Sequence, residues 1–201
     1  NNKKIEQHCL RADNVIQSML LHSGVSSGSL ELTDINALLR SSIELARHDK
    51  ANLDGIQVEI AVELEEALPK AMAIPQDLGR AFLNIIGNAV KAAHAKAQEQ
   101  GPDFRPRVII SSCHLRAAIQ IRITDNGQGI PPGLLERVFN PFFTTRPTGE
   151  GTGLGLSIAH DIVVGQHRGR LWVESEEGAY ARFCIDLPSG LANSACVETE
   201  S

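Results

Sequence analysis

Apolar residues recur every three or four positions over residues 1–22, where Ile5, Cys9, Ala12, Ile16, Met19 and Leu20 form one stripe. That spacing predicts an amphipathic helix whose apolar seam has nothing nearby in sequence to cover it. Residues 23–32, "SGVSSGSLEL", have the Ser and Gly content of a linker. A second helix is predicted from a cap at Thr33 or Asp34 to about Lys50, with Ile35, Leu38, Leu39, Ile43 and Leu45 on its apolar side. From Ile56, "IQVEIAVEL" alternates apolar and polar residues, the pattern of a half-buried strand. Pro75 suits the first turn of a long periodic helix, which Gly101 and Pro102 end.

Two more strands, "RVIISSCHL" and "AAIQIRIT", follow across one turn and run into "DNGQGIPPG", which no regular element crosses. "LLERVF" predicts a short helical piece. "NPFFTTRPTGEGTG" is then a loop of about 14 residues, long enough in a compact domain to suggest function. Helix is predicted from Leu154 to about Gln166, and "GRLWVESE" with "YARFCIDLP" forms a last hairpin around "EGA". The small, polar tail from Ser189 is expected to fray. This order of elements predicts one α/β sandwich with a helical piece leading into it.

The bulk composition narrows the function classes. The chain has 201 residues, 42% of them hydrophobic and 21% charged, which suits one soluble domain with an appendage. Lys and Arg number 19 against 24 Asp and Glu, a net charge of -5 that argues against a general nucleic-acid binder. Cys9, Cys113, Cys184 and Cys196 are far apart and have no metal-ligand spacing, as expected of thiols in a reducing compartment. With no signal peptide and no apolar run of about 20 residues, a cytoplasmic location is expected, under a parent protein that is itself either soluble or membrane-anchored.

Four stretches carry candidate chemistry. Asn84 and Asn88 share a helix face, and Lys91 follows three residues later. A carboxamide oxygen is a hard ligand suited to Mg²⁺, and the ammonium is placed for a phosphate, although two such amides also fit a polar surface. Asp125 ends a strand and is followed by Gly127 and Gly129; this is either a tight turn or a carboxylate beside bare backbone, placed to accept a hydrogen bond from an adenine amino group. Phe139, Phe142 and Phe143 are half of the 6 phenylalanines, and they either anchor a flap by burying their rings or pack as ordinary core. Gly151, Gly153 and Gly155 precede a helix whose first N–H groups favour an anion. The spacing matches neither a P-loop nor a dinucleotide fingerprint.

In this order the four stretches resemble the ATP-binding domain of two-component sensor histidine kinases. "NIIGNAVKAA" resembles the family's N box, "DNGQGI" its first glycine box, "FNPFF" its F box and "GEGTGLGLSI" its second glycine box. The resemblance covers roughly residues 70 to 187. It implies a two-layer α/β sandwich of Bergerat type, a mixed sheet packed against helices and preceded by an N-terminal helix. It also implies a division into residues 1–30 (part of a dimerisation hairpin plus linker), 31–188 (catalytic domain) and 189–201 (tail).

The same resemblance implies the site. Asn88 would hold Mg²⁺, with Asn84 beside it and Lys91 near the phosphates of ATP. Asp125 would bind adenine, with Gly127, Gly129 and Ile130 around the base. Residues 140–152 would form a mobile lid, and Phe139, Phe143, Thr144, Thr145 and Arg146 would contribute to ATP binding. Gly151, Thr152, Gly153, Leu154, Gly155 and Leu156 would meet the phosphates. The third glycine box departs from the family's GxGT: this chain has Gly178, Ala179, Tyr180 and Ala181, so a supporting threonine hydroxyl is missing. Hydrolases of the superfamily place Glu where this chain has Asn84, and an amide cannot act as a general base near neutral pH.

The implied activity is transfer of the γ-phosphoryl group to a histidine, for relay to the receiver domain of a response regulator, in a parent protein that is a homodimer. The family's acceptor histidine precedes an acidic residue, with Pro a turn later. His48 and His160 precede Asp but lack the Pro, and the other histidines lack the acidic neighbour. The acceptor is therefore expected outside this chain, upstream of Asn1, with residues 1–22 resembling the second helix of the hairpin.

Overall fold

A computed structural model describes residues 28–49, 56–145 and 151–189. The expected N-terminal helix, the fraying tail beyond Ser189 and Arg146 lie outside the described residues. The order of elements is β1 (Glu31–Thr33), α1 (Ile35–Asp49), β2 (Glu59–Leu64), β3 (Ala71–Ala73) and α2 (Pro75–Gln100), then β4 (Arg107–Leu115), β5 (Ala118–Asp125), a short 3-10 turn (Pro132–Leu134), α3 (Gly155–His160), β6 (Arg170–Glu176) and β7 (Tyr180–Pro188).

The five long strands form one mixed sheet in the order β2-β4-β5-β7-β6. β2 runs parallel to β4, and every other neighbour is antiparallel. Period-two patterning decides which face is covered. Ile119, Ile121 and Ile123 of β5 are fully buried, as are Val108 and Ile110 of β4, while Arg122 of β5 is exposed. Helices cover the apolar face. α2 buries Leu78, Phe82, Ile85, Ile86 and Ala89 along one stripe, and α1 adds Ile35, Leu39 and Ile43. Each large aliphatic or aromatic side chain removed from water here contributes about 1.5–3 kcal/mol. The result is two layers, helices on a sheet, as the order of elements predicts.

Local chemistry sets the helix ends. Asp34 caps α1, its Oδ1 accepting the Ala37 N–H at 2.9 Å. Pro75 occupies the first turn of α2, and Gly101, at φ +80°, closes it by donating its N–H to Ala97 at 3.0 Å.

Several expectations are corrected. Glu31 and Leu32 are not linker, and Thr33 is not the helix cap: the three form strand β1, paired antiparallel with β3. The strand expected from Ile56 begins at Glu59. Leu45 is 59% exposed and lies off the apolar side of α1. In "LLERVF", Leu134 ends the 3-10 turn and the rest is a run of turns rather than a helix. The last helix is α-helical only over Gly155–His160 and then widens to a π-helical turn over Asp161–Gln166. His167 explains the widening. Its N–H bonds to the Ile162 carbonyl five residues back, and its ring Nδ1 lies 2.8 Å from the same oxygen.

Candidate functional site

α2 is the spine of the site. Asn84, Asn88 and Ala92 lie four apart on one face, and the two amides are half-buried while Lys91 is exposed. The Nδ2 of Asn84 is buried without a hydrogen-bond partner, a cost of about 1–3 kcal/mol unless something satisfies it. The start of α3 abuts the same residue: a Cβ added at Gly155 would stand 3.5 Å from Asn84 Oδ1. The glycine-rich stretch before α3 therefore meets the asparagine pair directly.

Asp125 approaches the same face of α2 from the sheet. It ends β5, where Val108 of β4 and Ala181 of β7 are its register partners. It is 2% exposed, and its Oδ1 accepts the Gly127 N–H at 2.9 Å. Burial pushes the carboxyl up to about 6, against the pull of the Gly127 and Ala181 N–H groups and the Lys96 charge. Gly127 follows as a close approach, since a Cβ there would come within 2.8 Å of the Ala92 backbone. Thus the turn after Asp125 rests on α2 one turn beyond Asn88.

Gly129, at φ +67°, then threads the loop over the β6–β7 hairpin, where a Cβ would collide with the Glu176 carbonyl. Ile130 donates its N–H to Ser175 Oγ at 2.7 Å, and that hydroxyl donates to the Tyr180 carbonyl at 2.7 Å. Gly178 donates to the Gln128 carbonyl at 2.6 Å. The loop and the hairpin tip are one hydrogen-bonded unit.

The aromatic stretch divides. Phe139 is half-buried, 5.5 Å from the His160 ring and 6.3 Å from Phe183. Phe143 is half-buried beneath the Arg137 guanidinium at 4.8 Å. Phe142, in contrast, is 57% exposed, so two rings rather than three anchor the loop. Gly153, at φ +68°, lies on the Phe142–Phe143 backbone, where a Cβ would stand 2.5 Å from the Phe142 carbonyl carbon. Thr144 and Thr145 are exposed and Thr152 half-buried, its Oγ1 3.4 Å from the Leu154 nitrogen. The side chains of Leu154 and Leu156 pack into the core.

The structure thus gathers Asn84, Asn88, Asp125, Gly127 and Gly155 around one face of α2, with Gly153 between Gly155 and the Phe142–Phe143 backbone. It adds residues that periodicity alone passes over. Lys96 is 8% exposed and joins the Asp125 turn to the hairpin, and Ser175 supports the turn's far end. The signal for Lys96 is a cation on the apolar stripe of a regular helix, between Ala93 and Ala97.

A family model described as histidine kinase-, DNA gyrase B- and HSP90-like ATPase matches residues 73–191, which span every one of these groups. The chain belongs to this ATPase family. Among its relatives, the sensor histidine kinase ZraS of Escherichia coli O157:H7 is 34% identical over 178 residues, or 89% of this chain and 36% of ZraS. The chain thus spans about a third of that relative's length. The solved structure of full-length ShkA in complex with AMPPNP is similar over 92% of this chain and 36% of ShkA, at 27% identity and a TM-score of 0.70. The catalytic domain of the histidine kinase ThkA shares the fold, with a TM-score of 0.65 over 80% of this chain and 95% of that domain at 23% identity. The family's nucleotide fits the residues present: an orphaned amide, a glycine at the start of α3 beside it and a buried carboxylate acceptor lie along α2. Among the described residues no cluster of three or more acidic, His or Cys side chains could hold a metal, so a metal here would depend on amide and phosphate oxygens.

Proposed function

We propose that this chain is the ATP-binding catalytic domain of a two-component sensor histidine kinase, with the catalytic unit spanning residues 31–188. Asp125 accepts a hydrogen bond from the adenine amino group, and Gly127, Gly129 and Ile130 form the wall against the base. Asn84, Asn88, Lys91 and the backbone of residues 151–156 hold the triphosphate, with Thr144, Thr145 and Arg146 on the covering loop that Phe139 and Phe143 anchor. Mg²⁺, held through the Asn88 carboxamide, supplies charge neutralisation at the phosphates when bound.

The chemistry is transfer rather than hydrolysis. A histidine imidazole nitrogen bonds to the γ-phosphorus, the bond to the bridging oxygen breaks, and ADP leaves. The observation that carries this reading is Asn84 against the first residue of α3. A group in that place can orient phosphate through its amide, but it cannot take a proton from water near neutral pH. The acceptor belongs to a dimerisation hairpin, the parent is a homodimer, and the phosphoryl group passes on to a receiver domain on the cytoplasmic side. Relatives named as sensor kinases support this reading, and no helix among the described residues is long and apolar enough to cross a membrane.

The test mixes the chain with Mg-ATP labelled at the γ-phosphate and a helical hairpin bearing the acceptor histidine. Label should appear on the hairpin in an acid-labile bond, with little free phosphate. Rapid phosphate release would favour a hydrolase. ATP binding without transfer would favour a passive nucleotide module, for which Ala181 in place of a hydroxyl residue is the specific observation.

A further inference from the structure

Lys96 is a buried cation held by carbonyls. It stands two turns beyond Asn88 on α2, at a position where the helix otherwise buries alanines. Its Nζ donates to the Gly127 carbonyl at 3.1 Å and to the Gly178 carbonyl at 2.8 Å, and the Phe104 ring centroid lies 5.0 Å away. Burying an ammonium is costly unless its protons are satisfied, and two carbonyls with an aromatic face do that here. The two carbonyls come from different sides of the site. Gly127 belongs to the turn whose N–H holds Asp125, and Gly178 is at the tip of the β6–β7 hairpin that carries Ala181. Lys96 is also the charged side chain whose field reaches the Asp125 carboxyl.

We propose that Lys96 is a positioning residue for the base subsite: it locks the Asp125 turn to the hairpin tip and holds the carboxylate ready for an adenine amino group, support that a hydroxyl at Ala181 would otherwise provide. This rests on the reading of Asp125 as the adenine acceptor. Lys96 does not touch the nucleotide. It acts by fixing two backbone segments and by placing a positive charge behind the acceptor. Shape and charge then favour a purine that presents a donor, an amino group, over one that presents a carbonyl.

Three variants separate the components. K96M removes donors and charge, K96Q keeps donors without charge, and K96R keeps both. The carboxyl carbon of Asp125, assigned by its loss in D125N, is titrated by NMR in the nucleotide-free protein, and ATP and GTP affinities are measured by calorimetry at about pH 7.5, where the carboxylate is ionised. In K96M the Asp125 midpoint should rise by about one pH unit and ATP binding weaken about tenfold, with the preference for ATP over GTP reduced. K96R should restore both, and K96Q should restore part of the affinity while leaving the midpoint raised. A purely structural lysine would lower the melting temperature without moving the midpoint. An unmoved midpoint in both K96M and K96Q, or full ATP affinity in K96M, overturns the proposal. Failure of the wild-type protein to bind ATP overturns the adenine reading and this role with it, and the midpoint shift tells that outcome apart from an error about Lys96 alone.

Discussion

Asp125 and Ala181 face each other across the β5–β7 ladder, where the Ala181 N–H favours the ionised form of the buried carboxyl. The side chain at position 181 is a methyl group at the register position on β7 opposite Asp125. Both residues are buried, so water does not stand in freely for the missing donor.

Ala181→Thr should therefore tighten ATP binding. A hydrogen bond to a charged group is worth roughly 1.5–3 kcal/mol, and the added methyl in a filled site takes back a part of it. A gain of about threefold to tenfold in affinity is expected by calorimetry. Unchanged or weaker binding in a variant with a normal melting temperature would show that the hydroxyl has no acceptor there.

The pH dependence has two opposing signs, both from Asp125. Its carboxyl is raised from 3.8 to about 6 in the folded protein, so the folded state binds the proton more tightly than the unfolded chain does. That group's contribution to stability is fully present below the unfolded value and is lost as pH rises through about 6. The loss amounts to roughly 2–3 kcal/mol. Nucleotide binding runs the other way, because only the ionised carboxylate is a full acceptor. Urea unfolding of the nucleotide-free protein should show wild type losing stability relative to D125N between about pH 4 and pH 7, while ATP affinity of wild type falls below about pH 6. Parallel unfolding profiles for the two proteins would remove Asp125 as the source.

Glycines at two positions of similar appearance should respond in opposite directions. Gly127 touches the Ala92 backbone, and a Cβ there would approach to 2.8 Å. Gly127→Ala should destabilise by about 1–3 kcal/mol and weaken nucleotide binding, by prising the Asp125 turn from α2. Gly87 is inside α2 with nothing within 4 Å of a Cβ, so Gly87→Ala should stabilise by about 0.5–1 kcal/mol. Thermal melts of the two variants check the pair, and destabilisation by Gly87→Ala would mean that the space beside that position is filled.

Most of the sheet and the whole of α2 were legible in sequence because their information is local. Ile119, Ile121 and Ile123 alternate with polar residues, and Pro75 and Gly101 mark helix ends within a turn of where they fall. β1 and β3 were not legible, since three-residue strands show no period and their pairing joins Glu31 to Ala73, far along the chain. Leu45 sat one step off the stripe that Ile35, Leu39 and Ile43 define. In the candidate site, the residue types were legible as turn glycines, amides and a strand-end carboxylate. What held them together was not: the apolar stripe marks Lys96 as a cation among alanines, but nothing in the sequence says that the Gly127 and Gly178 carbonyls surround it.

His167 supplies the last test, because it joins two elements of the site through one tautomer. Its Nε2 accepts the Ile74 N–H at 2.9 Å, at the start of α2, so Nδ1 carries the proton and donates to the Ile162 carbonyl at 2.8 Å. The imidazole thereby fixes the end of the π-turn behind the glycine loop to the first turn of the helix that bears Asn84 and Asn88. His167→Phe keeps the apolar volume and leaves the Ile74 N–H without its partner, while the Ile162 carbonyl keeps only the backbone N–H of residue 167, at a cost of about 1–3 kcal/mol. His167→Gln can replace one of the two hydrogen bonds and should cost less. Loss of stability should come with faster amide exchange at Ile74 and across residues 161–166, which hydrogen-exchange measurements read directly. Equal stability of the Phe and Gln variants, with exchange at Ile74 unaltered, would show that the imidazole is packing rather than a bridge.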